Sequence, residues 1–582
     1  MSSLTSLPGD LLLEIAGFLE LRSDLLHFSV SSSTLYSNVV SALYSSVVLD
    51  TSRQCINTLT MLHRHPEITR HIQTLLVRPN GGRQTTTGVG GYRVCSAIRQ
   101  IARQLDALSS FFWDWEEGIP PSDELWFALR MSCPQLRTIG TSVGGRIPNH
   151  HLFGFHNLLG FSLIFKPNLH QNASDETLPA QAALASSRLW DMLISRCPDL
   201  EELSIEGFSI HSIDARRLVQ GRWPNLRKMT LGDVIVDLNL NPVNPDPTLE
   251  LEKLPSIEFL EAHPRLQSLR TSQHVLAPAH LSSLSASSFP DLIEFSGTLE
   301  QLQTLAPSHP HSHRIDTSRQ LKSVGFHQPM VMREVTHLAV CNVLQGLENL
   351  TTLSISFVLH SIYESGSLLR SLVGSCPRLE RLDLGCGHMP SFTLDSFSKA
   401  IQHLRRLHTL SIALVKFPSE DSLSTNAGLI ARANPRLRHF TITFIPRKAS
   451  IFLPLPRPLT SHPFAYLESG TYTLMTDEHG LPVCLSAVER IGQASSWGWH
   501  FGFDYGLSAI LGGYLGGGEP CVKRYRIYLR PGVRSTGLMS WVGLVTEQSR
   551  AGEELRLLVL MMVLLCLTAW GFLIVGMGRK GG

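Results

Sequence analysis

The chain has 582 residues, a formal net charge of +2 and 17% charged residues. This balance lacks the basic excess of a nucleic-acid-binding protein, so we expect no nucleic-acid partner, and the length allows several domains or one long repeat array. The ten cysteines include no Cys-x-x-Cys pair, which argues against a zinc module or a disulfide framework. Because no signal peptide precedes the first apolar segment, we expect a cytoplasmic or nuclear protein.

Three short apolar segments occupy the first fifty residues. The apolar residues of the first segment recur at three- and four-residue steps, which predicts an amphipathic helix: Leu11, Leu12, Ile15, Phe18 and Leu19. Two shorter helices and a strand ending at Asp50 are predicted to follow. Because so small a cluster buries little apolar surface, its exposed stripe predicts a binding partner, with a plain helical cap on a larger domain as the alternative.

A leucine-rich pattern recurs through the middle of the chain. The clear copies begin at Pro198, Pro224, Glu348, Pro377, Arg405 and Pro435, and the weaker copies begin at Pro134, Pro264, Pro290 and Arg319. From Arg319 onward the copies start 28 to 30 residues apart. Each copy ends in alternating apolar residues, typical of a strand, and a segment of helical periodicity follows. Such units bury their apolar faces only by stacking, which predicts an α/β solenoid, with a generic α/β domain as the alternative.

The polar strand positions of such a solenoid form an exposed face that a ligand could contact. The charged residues predicted for this face are Glu201, Glu202, Arg227, Lys228, Glu380, Arg381, Arg405, Arg406, Arg436 and Arg438. Because charged pairs recur on successive strands, the pattern predicts a charged ligand surface, with a merely solvated face as the alternative.

Catalytic and metal-binding patterns find no support in the sequence. His309, His311 and His313 lie close together, but in a Pro/Ser-rich segment without a cysteine or carboxylate at ligand spacing. The glycine-rich segment 80–91 lacks the Gly-Lys-Ser/Thr of a phosphate-binding loop and is predicted to be a loop. We therefore expect no catalytic residue, no metal and no cofactor.

The C-terminal end carries a long apolar segment. Residues 557–578 form 22 consecutive positions without a charge, enough to cross a hydrocarbon core of about 30 Å. The segment predicts a transmembrane tail anchor in an intracellular membrane. Two alternatives stay open: a buried helix that caps the solenoid, and an error in the gene model, since composition shifts after residue 485.

Two parts of the chain resemble known families. Residues 4–50 resemble a fungal F-box, through Leu7-Pro8-x-Asp10-Leu11-Leu12-x-Glu14-Ile15-x-x-Phe18-Leu19 and Asp24-Leu25-Leu26-x-Phe28-x-Val30-Ser31. The middle is similar to the leucine-rich repeats of F-box proteins, including the Cys-Pro before the strand at Cys133, Cys197 and Cys376.

The resemblance implies a substrate receptor of an SCF-type cullin–RING ubiquitin ligase, in which the chain holds a target protein and performs no catalysis. It implies that a Skp-type adaptor, itself bound to the cullin scaffold, contacts Leu7, Pro8, Leu11, Leu12, Ile15, Leu19, Leu25 and Leu26. The alternative function is a membrane-anchored leucine-rich-repeat scaffold without a ligase role.

The predicted fold class is α/β, with an N-terminal three-helix F-box, a leucine-rich-repeat-like solenoid and, if the anchor exists, a C-terminal transmembrane helix. The predicted segments are the F-box at 1–50, a linker with degenerate first repeats at 51–130, the solenoid at 131–446, an irregular Pro/Gly-rich region at 447–552 and the tail anchor at 553–582.

Overall fold

The fold is known from a computed structural model. It describes residues 7–19, 22–80, 89–114, 121–143, 151–166, 178–207, 213–214, 217–232, 235–236, 254–272, 275–285, 288–305, 320–326, 328–332, 335–359, 361–386, 392–416, 422–445, 466–477, 482–493 and 521–529.

Helices and strands alternate along most of this described chain. The helices are α1 (Gly9–Gly17), α2 (Arg22–Val30), α3 (Ser33–Tyr44), α4 (Ser52–Arg64), α5 (Pro66–Thr69), α6 (Val89–Ile101), α7 (Asp123–Ser132), α8 (Leu178–Asp191), α9 (Pro255–Glu261), α10 (Pro278–Leu281), α11 (Leu299–Leu305), α12 (His337–Gln345), α13 (Ile362–Ser375), α14 (Leu394–Ile401) and α15 (Leu423–Ala433). The first strands are β1 (Ser46–Thr51), β2 (Thr74–Asn80), β3 (Ser110–Trp113), β4 (Thr138–Val143), β5 (Gly160–Phe165), β6 (Glu202–Gly207), β7 (Ile213–Asp214), β8 (Lys228–Leu231), β9 (Ile235–Val236) and β10 (Ser268–Thr271). The later strands are β11 (Glu294–Gly297), β12 (Ser323–Phe326), β13 (Met330–Val331), β14 (Thr352–Val358), β15 (Arg381–Cys386), β16 (Thr409–Val415), β17 (His439–Ile445), β18 (Tyr466–Thr476), β19 (Pro482–Gln493) and β20 (Cys521–Tyr528).

Fourteen of the described strands lie side by side in one parallel sheet, each next to the strand that precedes it in the sequence: β1–β6, β8, β10–β12 and β14–β17. A helix or a short helical turn connects each parallel strand to the next. Sequential parallel strands with helical returns are the geometry of a solenoid, in which each repeat packs on its neighbours. The prediction of a leucine-rich-repeat-like α/β solenoid is therefore confirmed, and all ten predicted copies end in a strand of this sheet.

The register of the sheet explains the leucine pattern. Leu353, Leu382 and Leu410 lie opposite one another on β14, β15 and β16, and all three are buried in one continuous core. Because side chains alternate along a strand, the residues between the leucines lie on the other side of the sheet. We call that second side the outward face.

Each turn before a strand hydrogen-bonds to the turn of the previous repeat. The carbonyl of Thr351 accepts the backbone N–H groups of Glu380 at 2.7 Å and Arg381 at 2.9 Å. The carbonyl of Glu380 accepts those of His408 and Thr409 at 3.0 and 3.1 Å. The same pattern recurs along the array, so the stacked turns form a hydrogen-bonded ladder that satisfies their buried backbone groups.

The cysteines that precede the Pro-Leu turns are packing groups. Cys133, Cys197 and Cys376 are buried and free, six residues before an inward residue of their strands. Burial raises the pKa of the Cys133 and Cys376 thiols to about 12, so both stay protonated at neutral pH. A protonated buried thiol is a small apolar filler and not a nucleophile.

His263 occupies the same turn position in its own repeat. Its Nδ1 lies 2.6 Å from the carbonyl oxygen of Phe259, and its Nε2 accepts the backbone N–H of Trp223 at 3.1 Å. These two partners require the neutral ring, and burial, aided by the charge of Arg222, lowers the pKa of His263. Below pH about 6.5 the imidazole of His263 binds a proton in the unfolded chain but stays neutral in the folded protein. The free energy of unfolding must therefore fall as the pH falls.

We expect the free energy of unfolding to decrease by at most about 1.4 kcal/mol per pH unit from this group as the pH drops below about 6.5. The control is His263→Asn, because Asn434 fills the equivalent turn position and donates to the carbonyl of Leu404 at 3.2 Å. Urea unfolding at pH 7 and pH 5 measures both proteins. An equal pH dependence in the two would contradict the assignment to His263.

β18, β19 and β20 lie in the region that was predicted to be irregular. They continue the sheet beyond β17 but run antiparallel: β18 pairs with β17, β19 with β18 and β20 with β19. Their sequence lacks the repeat spacing, so the repeat pattern did not predict them. These antiparallel strands cover the edge of the sheet that β17, the strand of the last repeat, would otherwise leave exposed.

Several predictions fall outside the described residues. They concern the histidines 309, 311 and 313, the segment 557–578 and most of the glycine-rich segment. Gly90 and Gly91 of that last segment lie in α6, where a loop was predicted. None of the helices in the described ranges combines the length and apolarity needed to span a membrane.

Candidate binding surfaces

The three N-terminal helices form a small cluster with a core of its own. Leu12 and Ala16 of α1, Leu25 of α2, and Leu35 and Val39 of α3 are buried against one another. The chain then enters β1 directly after α3, and α3 also contacts α5. Tyr44, at the end of α3, packs against the core of the solenoid. The cluster therefore holds its shape through its own core and is attached to the first repeat.

Local interactions position α2 and α3 within this cluster. The hydroxyl of Ser32 accepts the backbone N–H of Thr34 at 3.2 Å and caps α3. The buried hydroxyl of Ser29 donates to the carbonyl of Leu26 at 2.8 Å, within α2. The hydroxyl groups of Ser29 and Ser32, at the connection between α2 and α3, are thus satisfied by local hydrogen bonds.

Exposed apolar side chains are concentrated on these two helices. Of the fifteen large exposed hydrophobic residues in the described chain, five lie in α1, α2 and the residue after α1: Leu11, Leu13, Phe18, Leu26 and Val30. Phe18 is 77% exposed and Val30 is 67% exposed. The other ten are distributed over the rest of the described residues. Soluble proteins rarely expose several large apolar residues together, so these two helices carry a candidate interaction surface.

The structure divides the eight predicted adaptor-binding residues into two sets. Pro8, Leu11 and Leu26 are exposed, and Ile15 is half-buried. The other four contribute to the cluster core: Leu12 and Leu25 are buried in it, while Leu7 and Leu19 pack against it.

Sequence reasoning also left three exposed residues out of the predicted site, namely Leu13, Phe18 and Val30. Phe18 belongs to the predicted apolar stripe, and it directly follows the last turn of α1. These two features together were the signal that could have included Phe18 in the predicted site. Val30 lies four residues after Leu26 on α2, and this helical spacing was the available signal for it. For Leu13 the helical pattern offered no such signal.

The outward face of the solenoid carries charged pairs, as predicted, but fewer of them lie on strands. Glu202 and Lys228 lie opposite each other on β6 and β8 and form an ion pair with Oε1 and Nζ 2.6 Å apart. Glu380 lies in the turn before β15, where its carboxylate is 3.6 Å from Nε2 of His408. Arg381 begins β15 itself.

Arg405, Arg406 and Arg436 lie in the turns that precede β16 and β17, which corrects their predicted place among the strand positions. The guanidinium of Arg436 donates to the carbonyl of Arg405 at 2.7 Å, so it links two successive turns. Arg405 is the first residue of its pattern copy, and Arg406 and Arg436 are the second residues of theirs, whereas the strands begin three residues after these second positions, at Thr409 and His439.

The centre of the outward face is built from small polar residues. Ser354, Asp383 and Ser411 lie in register on β14, β15 and β16, and Gly325 of β12 lies beside Ser354. Burial raises the pKa of the Asp383 carboxyl, and the charge of Arg381 opposes that shift. This part of the face combines a carboxylate with hydroxyl groups and little side-chain bulk.

No group of histidine, cysteine and carboxylate side chains that could hold a metal ion occurs among the residues that the structure describes. Eight cysteines within those ranges are buried and form no disulfide bond: Cys55, Cys95, Cys133, Cys197, Cys341, Cys376, Cys386 and Cys484. Within the described residues, the two candidate binding surfaces are the exposed apolar residues of α1 and α2 and the outward face of the sheet.

Comparison with solved structures finds distant structural neighbours of the chain. No protein-family model matches the chain, and no curated protein sequence matches it. Among solved structures, the crystal structure of the leucine-rich repeat-containing protein LegL7 from Legionella pneumophila is 11% identical, with a TM-score of 0.29, covering 58% of this chain and 91% of that one.

Proposed function

We propose that this protein is a non-catalytic adaptor that brings two other proteins together. In this proposal α1 and α2 bind a Skp-type adaptor of an SCF-type cullin–RING ubiquitin ligase, and the solenoid holds a target protein. The observation that carries the proposal is the concentration of exposed apolar side chains on α1 and α2. The F-box resemblance of residues 4–50 supports the choice of partner.

The exposed residues of α1 and α2 are available for binding because the cluster does not need them for its core. Full burial of a side chain such as Leu or Phe against a partner contributes about 1.5–3 kcal/mol. Phe18 is the best placed anchor, since large aromatic side chains dominate the binding energy of protein interfaces. A few such residues suffice for a stable complex.

The solenoid supplies the second binding surface in this proposal. The long parallel sheet offers an extended outward face, and repeat proteins use such extended surfaces to bind their partners. The chain would contribute no catalytic group, metal or cofactor. It would act by proximity, because a target held beside the ubiquitin-charged enzyme presents its acceptor lysine at a high effective concentration.

A double substitution of exposed leucines tests the adaptor interface. We expect Leu11→Arg with Leu26→Arg to weaken binding of a purified Skp-type adaptor to the full-length protein by at least about 100-fold, because the interface must bury unpaired charges. Both leucines are 46% exposed, so the fold should persist, and circular dichroism checks this. Isothermal titration calorimetry measures the affinity.

The matched control is Leu338→Arg on α12, where the leucine is 59% exposed but lies outside the N-terminal cluster. It should leave adaptor binding unchanged. The proposal fails if the unaltered chain does not bind the adaptor, or if Leu338→Arg weakens binding as much as the double substitution.

A membrane-anchored scaffold without a ligase role is the second candidate function. The uncharged stretch 557–578 favours it, although this segment lies outside the described residues. Fractionation of cells that express the full chain or a chain ending at residue 552 separates the two candidates, because only the scaffold role depends on membrane attachment.

A further inference from the structure

Six exposed arginines lie along one side of the solenoid, where β15, β16 and β17 begin. These strands are parallel neighbours, so the turns that precede them stack beside one another at about 4.8 Å per strand. Every one of the six lies in these turns or at the first residue of β15. We call this exposed set the arginine rim: Arg378, Arg381, Arg405, Arg406, Arg436 and Arg438.

The rim is far more basic than the rest of the chain. Residues 377–381, 405–409 and 435–439 contain six arginines and a single carboxylate, that of Glu380, although the whole chain has a net charge of only +2. The equivalent segments 198–202 and 290–294 have the opposite sign, with three and two carboxylates and no basic residue. The basic charge is therefore a local property of the last repeats and not a consequence of the repeat pattern.

Two of the six arginines have a structural role. The guanidinium of Arg436 donates to the carbonyl of Arg405 at 2.7 Å, and that of Arg378 donates to the carbonyl of Glu348 at 3.2 Å. Both contacts tie a turn to the turn of the previous repeat. Within the described residues, the side chains of the other four form no hydrogen bond and no ion pair: Arg381, Arg405, Arg406 and Arg438.

The neighbouring carboxylates do not neutralise the rim. The Glu380 carboxylate lies 3.6 Å from Nε2 of His408, and Asp383 is half-buried on the outward face, two residues after Arg381. Asp477, directly after β18, already interacts with another residue. Positive charges gathered in adjacent turns repel one another, and an anionic partner would relieve that repulsion.

We propose that the arginine rim binds an acidic segment of a partner protein through its aspartate and glutamate side chains. The inference rests on the proposed function, since it specifies the chemistry of a target that the solenoid holds. A guanidinium presents a planar fork of N–H donors that matches the two oxygens of a carboxylate. Because the turns repeat from strand to strand, an extended acidic chain that lies across them meets an arginine at each turn.

An acidic protein segment fits the rim better than a nucleic acid does. Single-stranded nucleic acids bind through bases that stack on aromatic side chains, in addition to contacts with the phosphates. The three segments of the rim contain no phenylalanine, tyrosine or tryptophan. The chain as a whole also lacks the basic excess of a nucleic-acid-binding protein.

A random peptide library displayed on phage tests this inference. The library is first depleted on the full-length protein with Arg405→Gln, Arg406→Gln and Arg438→Gln, and it is then selected on the unaltered protein. The triple substitution keeps Arg378 and Arg436, so the contacts between turns persist. We expect the enriched peptides to contain several aspartate or glutamate residues.

Fluorescence anisotropy with synthetic copies of these peptides measures the affinities. The peptides should bind at least about tenfold more weakly to the triply substituted protein, because three exposed ion pairs are lost. Binding to the unaltered protein should also weaken as the salt concentration rises. Failure to enrich any peptide, enriched peptides without carboxylates, or tighter binding of a mixed-sequence single-stranded DNA would each overturn the inference.

The matched control removes three exposed arginines from the helices α6, α13 and α15. It produces the same change in net charge but leaves the rim intact, so peptide affinity should change by less than about twofold. Circular dichroism checks that both altered proteins keep the fold. An equal loss of affinity in the two proteins would overturn the inference. The control substitutions are Arg93→Gln, Arg370→Gln and Arg432→Gln.

Glu380→Gln provides a test of the opposite sign. It removes the one carboxylate of the rim segments, so acidic peptides should bind about two- to fivefold more tightly. An unchanged or lower affinity would contradict the inference.

The adaptor measurement separates this inference from the ligase proposal. The triple rim substitution should leave adaptor binding by α1 and α2 unchanged. A chain that binds the adaptor but no acidic peptide overturns the inference alone, whereas a chain that binds acidic peptides but no adaptor supports the inference and overturns the ligase proposal.

Discussion

Replacing Tyr472 by alanine should lower the free energy of unfolding by about 3–5 kcal/mol, the range for large aromatic residues in a core. Tyr472 lies on β18, is fully buried, and stacks on Phe440 of β17 with ring centroids 5.1 Å apart. Its hydroxyl donates to Oε1 of Glu489 at 2.9 Å, and Tyr525 of β20 donates to the same atom. Burial raises the pKa of Tyr472, so it remains a donor.

The expected loss of stability has two causes: the cavity that the missing ring leaves, and the lost hydrogen bond in the buried cluster of Tyr472, Glu489 and Tyr525. Without the ring, Phe440 loses its stacking partner, and Glu489 keeps its burial but loses one of two tyrosine donors. Because β18 covers the edge of the last parallel strand, the altered protein should also aggregate more readily when partly unfolded.

The matched control is Tyr528→Ala on β20, where the tyrosine is 43% exposed. It should change the free energy of unfolding by less than about 1 kcal/mol. Urea unfolding followed by tryptophan fluorescence compares the two proteins. Equal destabilisation would show that the Tyr472 cluster has no special role in closing the sheet.

Replacing Trp223 by alanine should have an effect of similar size, about 3–5 kcal/mol, at the middle of the solenoid. Trp223 is buried in the turn before β8 and meets Phe259 edge to face at 6.1 Å between ring centroids. Its Nε1 donates to the carbonyl of Leu193 at 3.0 Å, which ties two successive repeats together. Alanine would remove the packing and leave that carbonyl without its donor.

The consequence should extend beyond the local cavity. Repeats in a solenoid contact only their neighbours, so a weak point in the middle uncouples the two ends. Limited proteolysis should then cut the altered chain near its centre, while α1 and α2 retain their affinity for the adaptor. Phe127→Ala on α7, where the ring is 46% exposed, is the control and should leave the proteolytic pattern unchanged. Cleavage at the ends alone would contradict this expectation.

The repeats from Arg319 onward were predictable because each satisfies the same physical requirement in sequence. A strand that contributes to a stacked core needs apolar residues at alternate positions, and the helical return has a nearly constant length. Leu382, Leu410 and Phe440 therefore recur at regular steps and lie in register. Three N-terminal helices are also found where three apolar segments were predicted.

The earlier repeats were harder to predict because their core residues vary. β3, β4 and β5 contribute Phe111, Ile139 and Phe161 to the column that leucine fills in most later repeats. Aromatic rings satisfy the same packing requirement, but they weaken a pattern that was read from leucine and the preceding proline. The strands β18 to β20 carry no repeat, and their place follows from successive antiparallel pairing that begins with β18 on the edge of β17.

The binding surfaces show the same division between local pattern and tertiary contact. Helical spacing identified α1 as amphipathic, but it could not separate Leu12, which faces α2 and α3, from Leu11, which faces outward. Both leucines have the same chemistry, and only the position of neighbouring helices decides which one is buried.

The sequence by itself determined the repeat unit, the inward leucines and the apolar character of the N-terminal helices, because these depend on periodicity within one segment. The tertiary structure decided which apolar residues remain exposed and which polar residues meet across strands. Ser354, Asp383 and Ser411 are 29 and 28 residues apart in the chain, and they become neighbours only because the repeats stack in register. Stacking brings together groups that no local pattern connects, since register is a property of the whole sheet.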